Sequence, residues 1–200
     1  MVNTYLLYDE TNECIIIDAA CYEESEQDEI LEFIERKQLK LVRSLNTHCH
    51  IYHVLGNGFI AKKFGIYPEY HKASIPFFHT AREIGNSFGY SLDSIPDPER
   101  YIETGESIKF RNAELKALYT PGHADGSVCF YCEKDQFVIT GDVLFKETIG
   151  RTDLPSGDFN LLMKSIHEEL FTLPEDTVVY PGHGPETTIG YEMRNNPFIR

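Results

Sequence analysis

Thr47-His48-Cys49-His50-Ile51-Tyr52-His53 follows directly on residues 41–46, Leu-Val-Arg-Ser-Leu-Asn, a run that reads as a β-strand. His48 and His50 are two residues apart, so extended backbone projects both imidazoles the same way and they converge without long-range help. Three other segments repeat this arrangement: Thr120-Pro121-Gly122-His123, Thr140-Gly141-Asp142 and Tyr180-Pro181-Gly182-His183. Each is a strand end, then small residues, then one side chain able to ligate a metal. Glycine at such a place lets backbone approach a buried ion closely. Five of the eight histidines stand in these strand-end settings, three of them within six residues, and a purely structural role explains that clustering poorly. Neutral imidazoles with a carboxylate suit zinc or ferrous iron, whereas calcium and magnesium would want more oxygen. His71, His79 and His167 lie outside the pattern and read as surface or satisfied core residues.

Outward from these motifs, strands alternate with helices, and no Gly/Ser linker or low-complexity stretch marks a boundary. Residues 3–8 and 14–18 read as a strand pair around a turn at Asp9 to Glu13. An acid-rich helix begins near Ser25 and ends at Arg36 and Lys37, charges that suit the helix dipole at both ends. A helix is expected from about 54 to 64, and another over 70–88 that must start or kink at Pro76. The second half predicts strands around 107–119, 126–132 and 136–140. An amphipathic helix is expected after an Asp158 cap, with Phe159, Leu162, Met163, Ile166 and Leu170 at helical spacing, and a last strand spans 177–180.

Composition bounds the function. Two hundred residues with 42% hydrophobic content suit one globular domain, residues 1–200, with a core that needs no disulfide. Eighteen Lys and Arg against 32 Asp and Glu leave a net charge of −14, which repels phosphate backbones and anionic lipid, so a nucleic-acid or membrane partner is not expected. A small-molecule substrate is. The N-terminal residues have no basic n-region and no segment is long and apolar enough to span a bilayer, which points to the cytoplasm. The odd cysteine count, at 14, 21, 49, 129 and 132, is no disulfide framework. Cys129 and Cys132 have a redox or zinc spacing, but on a strand their sulfurs point to opposite faces, so a structural role is expected for both.

The ordered set HxHxxH, TPGH, TGD and PGHG resembles the metallo-β-lactamase superfamily. Within it, Thr120-Pro-Gly-His-Ala-Asp-Gly-Ser127, Gly150-Arg-Thr-Asp153 and Pro181-Gly-His-Gly-Pro-Glu-Thr-Thr188 look like the short, single-domain glyoxalase II-like hydrolases, and Asn196-Pro-Phe is similar too. The resemblance implies an α/β fold, an αββα sandwich of two mixed β-sheets flanked by helices, with a metal site at one edge between the sheets. It also implies that His48, His50 and His123 hold a first metal, that Asp142 bridges, and that His53 and His183 belong to a second. The implied reaction is hydrolysis of a thioester such as a hydroxyacylglutathione by a metal-activated water, with the metal zinc or iron. Arg151 stands close to these motifs as a candidate contact for a substrate carboxylate or as the partner of a neighbouring acid.

One position departs from the family pattern. Where HxHxDH has an aspartate this chain has Tyr52, which removes a carboxylate ligand and a proton acceptor and weakens the second metal site. Phenolate ligation is disfavoured, since an unperturbed phenol has a pKa of about 10. Two other readings follow. A mononuclear-iron persulfide dioxygenase shares the Gly-Arg-Thr-Asp segment, but such enzymes typically carry alanine before the last histidine and aspartate after it, where this chain has Gly182 and Gly184. A metal-binding relative without turnover would arise if Tyr52 fills the substrate side of the site.

Overall fold

The computed structural model describes residues 1–90 and 96–199, apart from the side chains of residues 82, 84 and 86. Its first half builds one sheet from β1 (Tyr5–Tyr8), β2 (Glu13–Ile17), β3 (Lys40–Leu45), β4 (Pro68–His71) and β5 (Arg100–Ile102), in that order. β1 and β2 are antiparallel, and the remaining pairs are parallel. A second sheet uses β6 (Ser107–Phe110), β7 (Ala113–Tyr119), β8 (Val128–Cys132) and β9 (Phe137–Gly141). After the small hairpin of β10 (Leu144–Phe145) and β11 (Thr148–Ile149), it is completed by β12 (Val178–Pro181) and β13 (Thr187–Thr188). Its order is β13-β12-β9-β8-β7-β6, with β12 parallel to β9 and the other pairs antiparallel.

Strand alternation assigns each face. In β2, Ile15 and Ile17 join Leu45 and Ile102 against Ile108, Leu115, Phe130 and Ile139 of the second sheet, forming the layer between the sheets. The alternate residues Cys14 and Ile16 face outward onto Ile30, Ile34 and Ile60. Cys129 likewise lies on the outer face of the second sheet and Cys132 on the inner one, as their spacing predicts. All five cysteines are free and buried. The outer face of the second sheet packs on Leu162, Ile166, Leu170 and Ile189. Helices therefore cover both outer faces of two mixed sheets, the αββα sandwich.

The helices on the first sheet are α1 (Glu24–Arg36), α2 (Ile51–Val54), α3 (Asn57–Phe64) and α4 (Ile75–Ser87); those on the second are α5 (Phe159–Ser165) and α6 (Ile189–Asn195). The carboxylate of Glu26 accepts the backbone N–H groups of Tyr22 and Glu23 at 2.8 and 3.0 Å and fixes the start of α1. Several expectations are corrected. The helix expected over 54–64 is two helices, because the Gly56 N–H turns out to Ala19 O at 2.8 Å. Residues 70 and 71 belong to β4, and the helix of that region begins at Ile75, with Pro76 in its first turn where no N–H is needed. The long strand expected over 107–119 is the β6–β7 hairpin, which turns where Arg111 takes φ 49°. The Asp158 carboxylate caps α5 by accepting Leu161 N–H at 2.9 Å, but Phe159 is exposed rather than part of the buried stripe, and the helix widens into a π-turn over Ile166–Leu170. Strands β5, β10, β11 and β13 and helix α6 are too short to carry a periodic signal. Among the described residues no helix is long and apolar enough to cross a membrane.

Helix α5 is seated on the loop after β7. Gly122 O accepts Asp158 N–H at 2.8 Å, and Pro121 O accepts the Ser165 hydroxyl at 2.7 Å. Gly122 has φ 125°, and a Cβ there would lie 2.2 Å from Leu162 N. Gly122→Ala is therefore expected to combine an unfavourable backbone conformation with a clash against helix backbone and to cost at least about 2 kcal/mol. For a domain of this size that lowers Tm by about 4–8 °C, measurable by calorimetry. An unchanged Tm would mean that α5 does not depend on this close approach.

Candidate metal centre

Strands β2, β3, β7, β9 and β12 all end at one edge of the sandwich, and the residues after those ends make the site. β3 runs into Thr47-His48-Cys49-His50, β7 into the loop bearing His123, β9 into Asp142 and β12 into Gly182-His183. β2 ends beside Asp18. Backbone bonds join the edges: Val128 N–H donates to Thr47 O at 2.8 Å, and Gly182 N–H to Gly141 O at 2.7 Å. A Cβ at Gly182 would stand 2.2 Å from Asp142 Oδ1, so only glycine lets β12 pass this close to the carboxylate.

The hydrogen bonds fix which ring nitrogen of each imidazole carries hydrogen. His123 Nδ1 donates to Arg151 O at 2.8 Å, His53 Nδ1 to Asp18 Oδ2 at 2.9 Å, and His183 Nδ1 to Met1 O at 2.8 Å. The Thr47 hydroxyl spends its hydrogen on Asp18 Oδ2 at 2.7 Å, so at 3.0 Å from His48 Nδ1 it is the acceptor. All four rings thus hold Nδ1–H outward and, wherever Nε2 is free of its proton, turn that lone pair inward.

Those lone pairs face other acceptors. His53 Nε2 lies 3.4 Å from Asp142 Oδ1, while His183 Nε2 and His123 Nε2 lie 3.4 and 3.7 Å from Asp142 Oδ2. His50 Nδ1 is 3.0 Å from His123 Nε2. His48 Nε2, His53 Nε2 and Asp142 Oδ1 are buried without a hydrogen-bond partner. Acceptor against acceptor in a buried space costs free energy unless a cation or protons lie between them. Ligand atoms of His48, His50 and His123 fall within 4.8 Å of one another, and so do those of His48, His53 and Asp142. The donor set therefore fits a divalent metal of the zinc or iron type.

Charge tuning divides the rings. Burial, reinforced by the neighbouring imidazoles, pushes His48 well below its ordinary range and His50 down to about 4, and burial also lowers His123. These three are neutral and ready to donate lone pairs at neutral pH. Burial opposes the charged form of His53 too, but Asp18 and Asp142 outweigh it and raise it to about 10. The bond to Asp142 raises His183. Burial opposes ionisation of Asp142, yet His183 and His53 hold it well below the usual carboxylate range.

The structure brings His48, His50, His53, His123, Asp142 and His183 together. Tyr52 is not among them: its ring lies beside those of Phe88 and Tyr90, at centroid distances of 6.4 and 6.0 Å. Arg151 points its guanidinium at Asp153 through two bonds of 2.7 Å in an exposed pair, and it serves the site through its carbonyl on His123. His71 stacks on Tyr119, and His167 stands edge-on to Phe171, both outside the cluster. Sequence reasoning missed Asp18, whose carboxylate also accepts Thr47 N–H at 2.8 Å. Its signal was a strand, Ile15-Ile16-Ile17, ending in an acid as β9 does at Asp142; φ of 51° marks it as special only in three dimensions.

Comparison with known proteins agrees with this geometry. Residues 1–183 match the metallo-beta-lactamase superfamily. Hydroxyacylglutathione hydrolase GloC of Haemophilus influenzae is 33% identical over 98% of this chain and 92% of its own. The mitochondrial persulfide dioxygenase ETHE1 of Homo sapiens is 33% identical over 90% of this chain and 63% of its own. The crystal structure of TTHA1623 in a di-iron-bound form superposes with a TM-score of 0.86 at 32% identity, over 98% of this chain and 94% of that one.

Two substitutions test the centre. Asp142→Ala removes the carboxylate on which three imidazoles converge and is expected to abolish stoichiometric metal retention. Asp18→Asn frees the His53 ring and disturbs Thr47, and is expected to weaken metal affinity roughly 10–100-fold. His167→Ala should retain metal like the parent. Plasma emission after dialysis against a graded chelator measures all three; parental retention by the Asp142 variant would remove that residue from the centre.

Proposed function

The chain belongs to the metallo-beta-lactamase superfamily, and from that membership we propose that it is a metal-dependent hydrolase acting on a thioester of the hydroxyacylglutathione kind. The observation that carries the reading is the inward set of lone pairs around Asp142, which suits a zinc or iron centre at an open sheet edge. A metal held by these side chains supplies Lewis acidity and lowers the pKa of a coordinated water from 15.7 towards about 7. The protein's part is positional. His48, His50 and His123 are the better-prepared ligand set, being neutral and oriented by Thr47 and by Arg151 O. Asp142 stands between that set and the pair His53 and His183, so its carboxylate would help hold a metal at either set and would accept a hydrogen bond from a water beside it.

With Tyr52 turned to Phe88 and Tyr90, the second set has Asp142 as its carboxylate, so a first metal would be held well and a second weakly. The likeness to GloC supports a thioester as the substrate class. The charge of −14 favours a small-molecule substrate over nucleic acid, and five free, buried cysteines suit a reducing compartment such as the cytoplasm.

One observation favours a second reading. His48, His53 and Asp142 form a two-histidine, one-carboxylate group, the donor set of non-haem iron oxygenases, and the likeness to ETHE1 points the same way. The discriminating experiment loads the protein separately with zinc and with ferrous iron. It then follows thiol release from S-lactoylglutathione and other thioesters, and oxygen uptake on glutathione persulfide. Hydrolysis without oxygen uptake is expected; oxygen uptake with no thioester hydrolysis would replace the hydrolase reading with the dioxygenase.

Restoring a carboxylate by Tyr52→Asp is expected to tighten the second metal and to raise kcat/KM on thioesters at least about tenfold, a modest share of the roughly 10²–10⁴ that positioned acid–base groups contribute. Tyr52→Ala removes the ring without adding a ligand and should improve neither quantity. Equal gains from both variants would show that the ring was only an obstruction.

A further inference from the structure

Beside His183 the surface opens into a cavity of about 340 Å³, near the lower end of the range of small-molecule sites, so it accommodates part of a substrate. Its walls include Tyr22, Tyr52, Tyr90, Glu23 and Glu26, and His183 is the lining residue that also belongs to the metal centre. The ring of Tyr22 stands at 82° to that of Tyr90 with centroids 4.8 Å apart, and the ring of Tyr52 stands at 85° to it at 6.0 Å. Two rings set edge-to-face on a third gather three tyrosines at one corner of the cavity. The Glu26 carboxylate is fixed at the rim by its two bonds to the start of α1, and Glu23 adjoins it. No lysine or arginine is among the described lining residues; the basic groups there are the Met1 amino group and the His183 ring, which is held by Asp142.

We infer that this aromatic, acid-rimmed corner is the subsite for the leaving-group half of the substrate, and that it selects a leaving group ending in an ammonium. Aromatic faces attract cations through the ring quadrupole, most strongly for alkylated ammonium groups that shed water readily. The two carboxylates and the chain's overall negative charge act in the same direction, whereas a carboxylate on the leaving group meets no lysine or arginine among the described lining residues. Because His183 lines both the cavity and the metal centre, a short leaving group seated in the corner carries its acyl carbon toward Asp142. The inference rests on the hydrolase reading for the reaction and revises the thiol released, since glutathione carries two carboxylates beside its one ammonium whereas this corner favours a cationic thiol.

Three thioacetates that share an acyl group test it on the metal-loaded protein: acetylthiocholine, its neutral isostere S-(3,3-dimethylbutyl) thioacetate, and anionic S-acetyl-3-mercaptopropionate. The cationic ester is expected to exceed its isostere in kcat/KM by at least about tenfold, with the anionic ester slowest. Tyr90→Ala and Glu23→Gln should each shrink that preference severalfold, the cationic ester losing more in kcat/KM than the isostere. In parallel, calorimetric titration compares choline with 3,3-dimethylbutanol, with choline expected to bind at least about tenfold tighter to the parent and to lose that advantage in Tyr90→Ala. Hydrolysis of all three esters without a charge preference would overturn the inference and leave the hydrolase standing. Selective choline binding with no ester hydrolysed would keep the subsite and remove the thioester reaction. Equal binding of choline and its isostere overturns the subsite whatever the esters do.

Discussion

The carboxylate of Asp18 is the constraint on which the centre depends. One oxygen accepts Thr47 N–H; the other accepts both the Thr47 hydroxyl and the His53 ring N–H. Thr47 in turn fixes His48, so one buried carboxylate at the end of β2 sets the direction of two imidazoles carried by the loop after β3. Without it those rings could turn their hydrogens inward and satisfy Asp142 directly, and the site would close on itself instead of offering lone pairs. The sandwich supplies the rest: parallel pairing of β2 with β3 and of β9 with β12 brings the carboxyl ends of four strands to one edge.

That arrangement explains why the centre was more legible than the fold around it. A ligand two residues from another on extended backbone announces itself locally, and the three glycine-flanked strand ends repeat the signal at His123, Asp142 and His183. Asp18 did not announce itself, because an acid after an apolar strand is also an ordinary turn residue, and its partner His53 lies 35 positions away. The two-layer core was readable where strands were long enough to alternate, as in β2 and β8. Boundaries failed where a tertiary bond overrode local preference: the Gly56 N–H goes to Ala19 rather than into a helix, and Phe159 has helical spacing but faces solvent. The Arg151 side chain pairs with Asp153, while its backbone carbonyl, invisible to any motif, orients His123.

Charge is distributed with the same economy. Burial, reinforced by the neighbouring imidazoles, keeps His48, His50 and His123 neutral, so the three-nitrogen set requires no proton to leave before a cation is bound. His53 and His183 are instead drawn toward their charged forms by Asp142, with Asp18 adding to the pull on His53, and a cation there must displace protons. The two halves of the centre differ intrinsically, before any missing ligand is considered. A carboxylate at position 52 would favour the harder half; a tyrosine leaves the difference in place.

Tyr52 then acts in two ways. As a departure from HxHxDH it subtracts a ligand, and a reading confined to the motif would count only that loss. In three dimensions its ring stands away from the lone pairs and meets Tyr90, which also meets Tyr22, at the mouth that His183 shares. An aspartate is too short to make that wall and would take its carboxylate inward. The residue that leaves the second ligand set without a further carboxylate therefore also walls the cavity beside His183, and the two effects have a common cause: position 52 lies in the first turn of α2, between a ring committed to His123 and a ring committed to Asp18. With both neighbours fixed, the side chain between them points either at the metals or at the substrate, and its chemistry decides which of the two it serves.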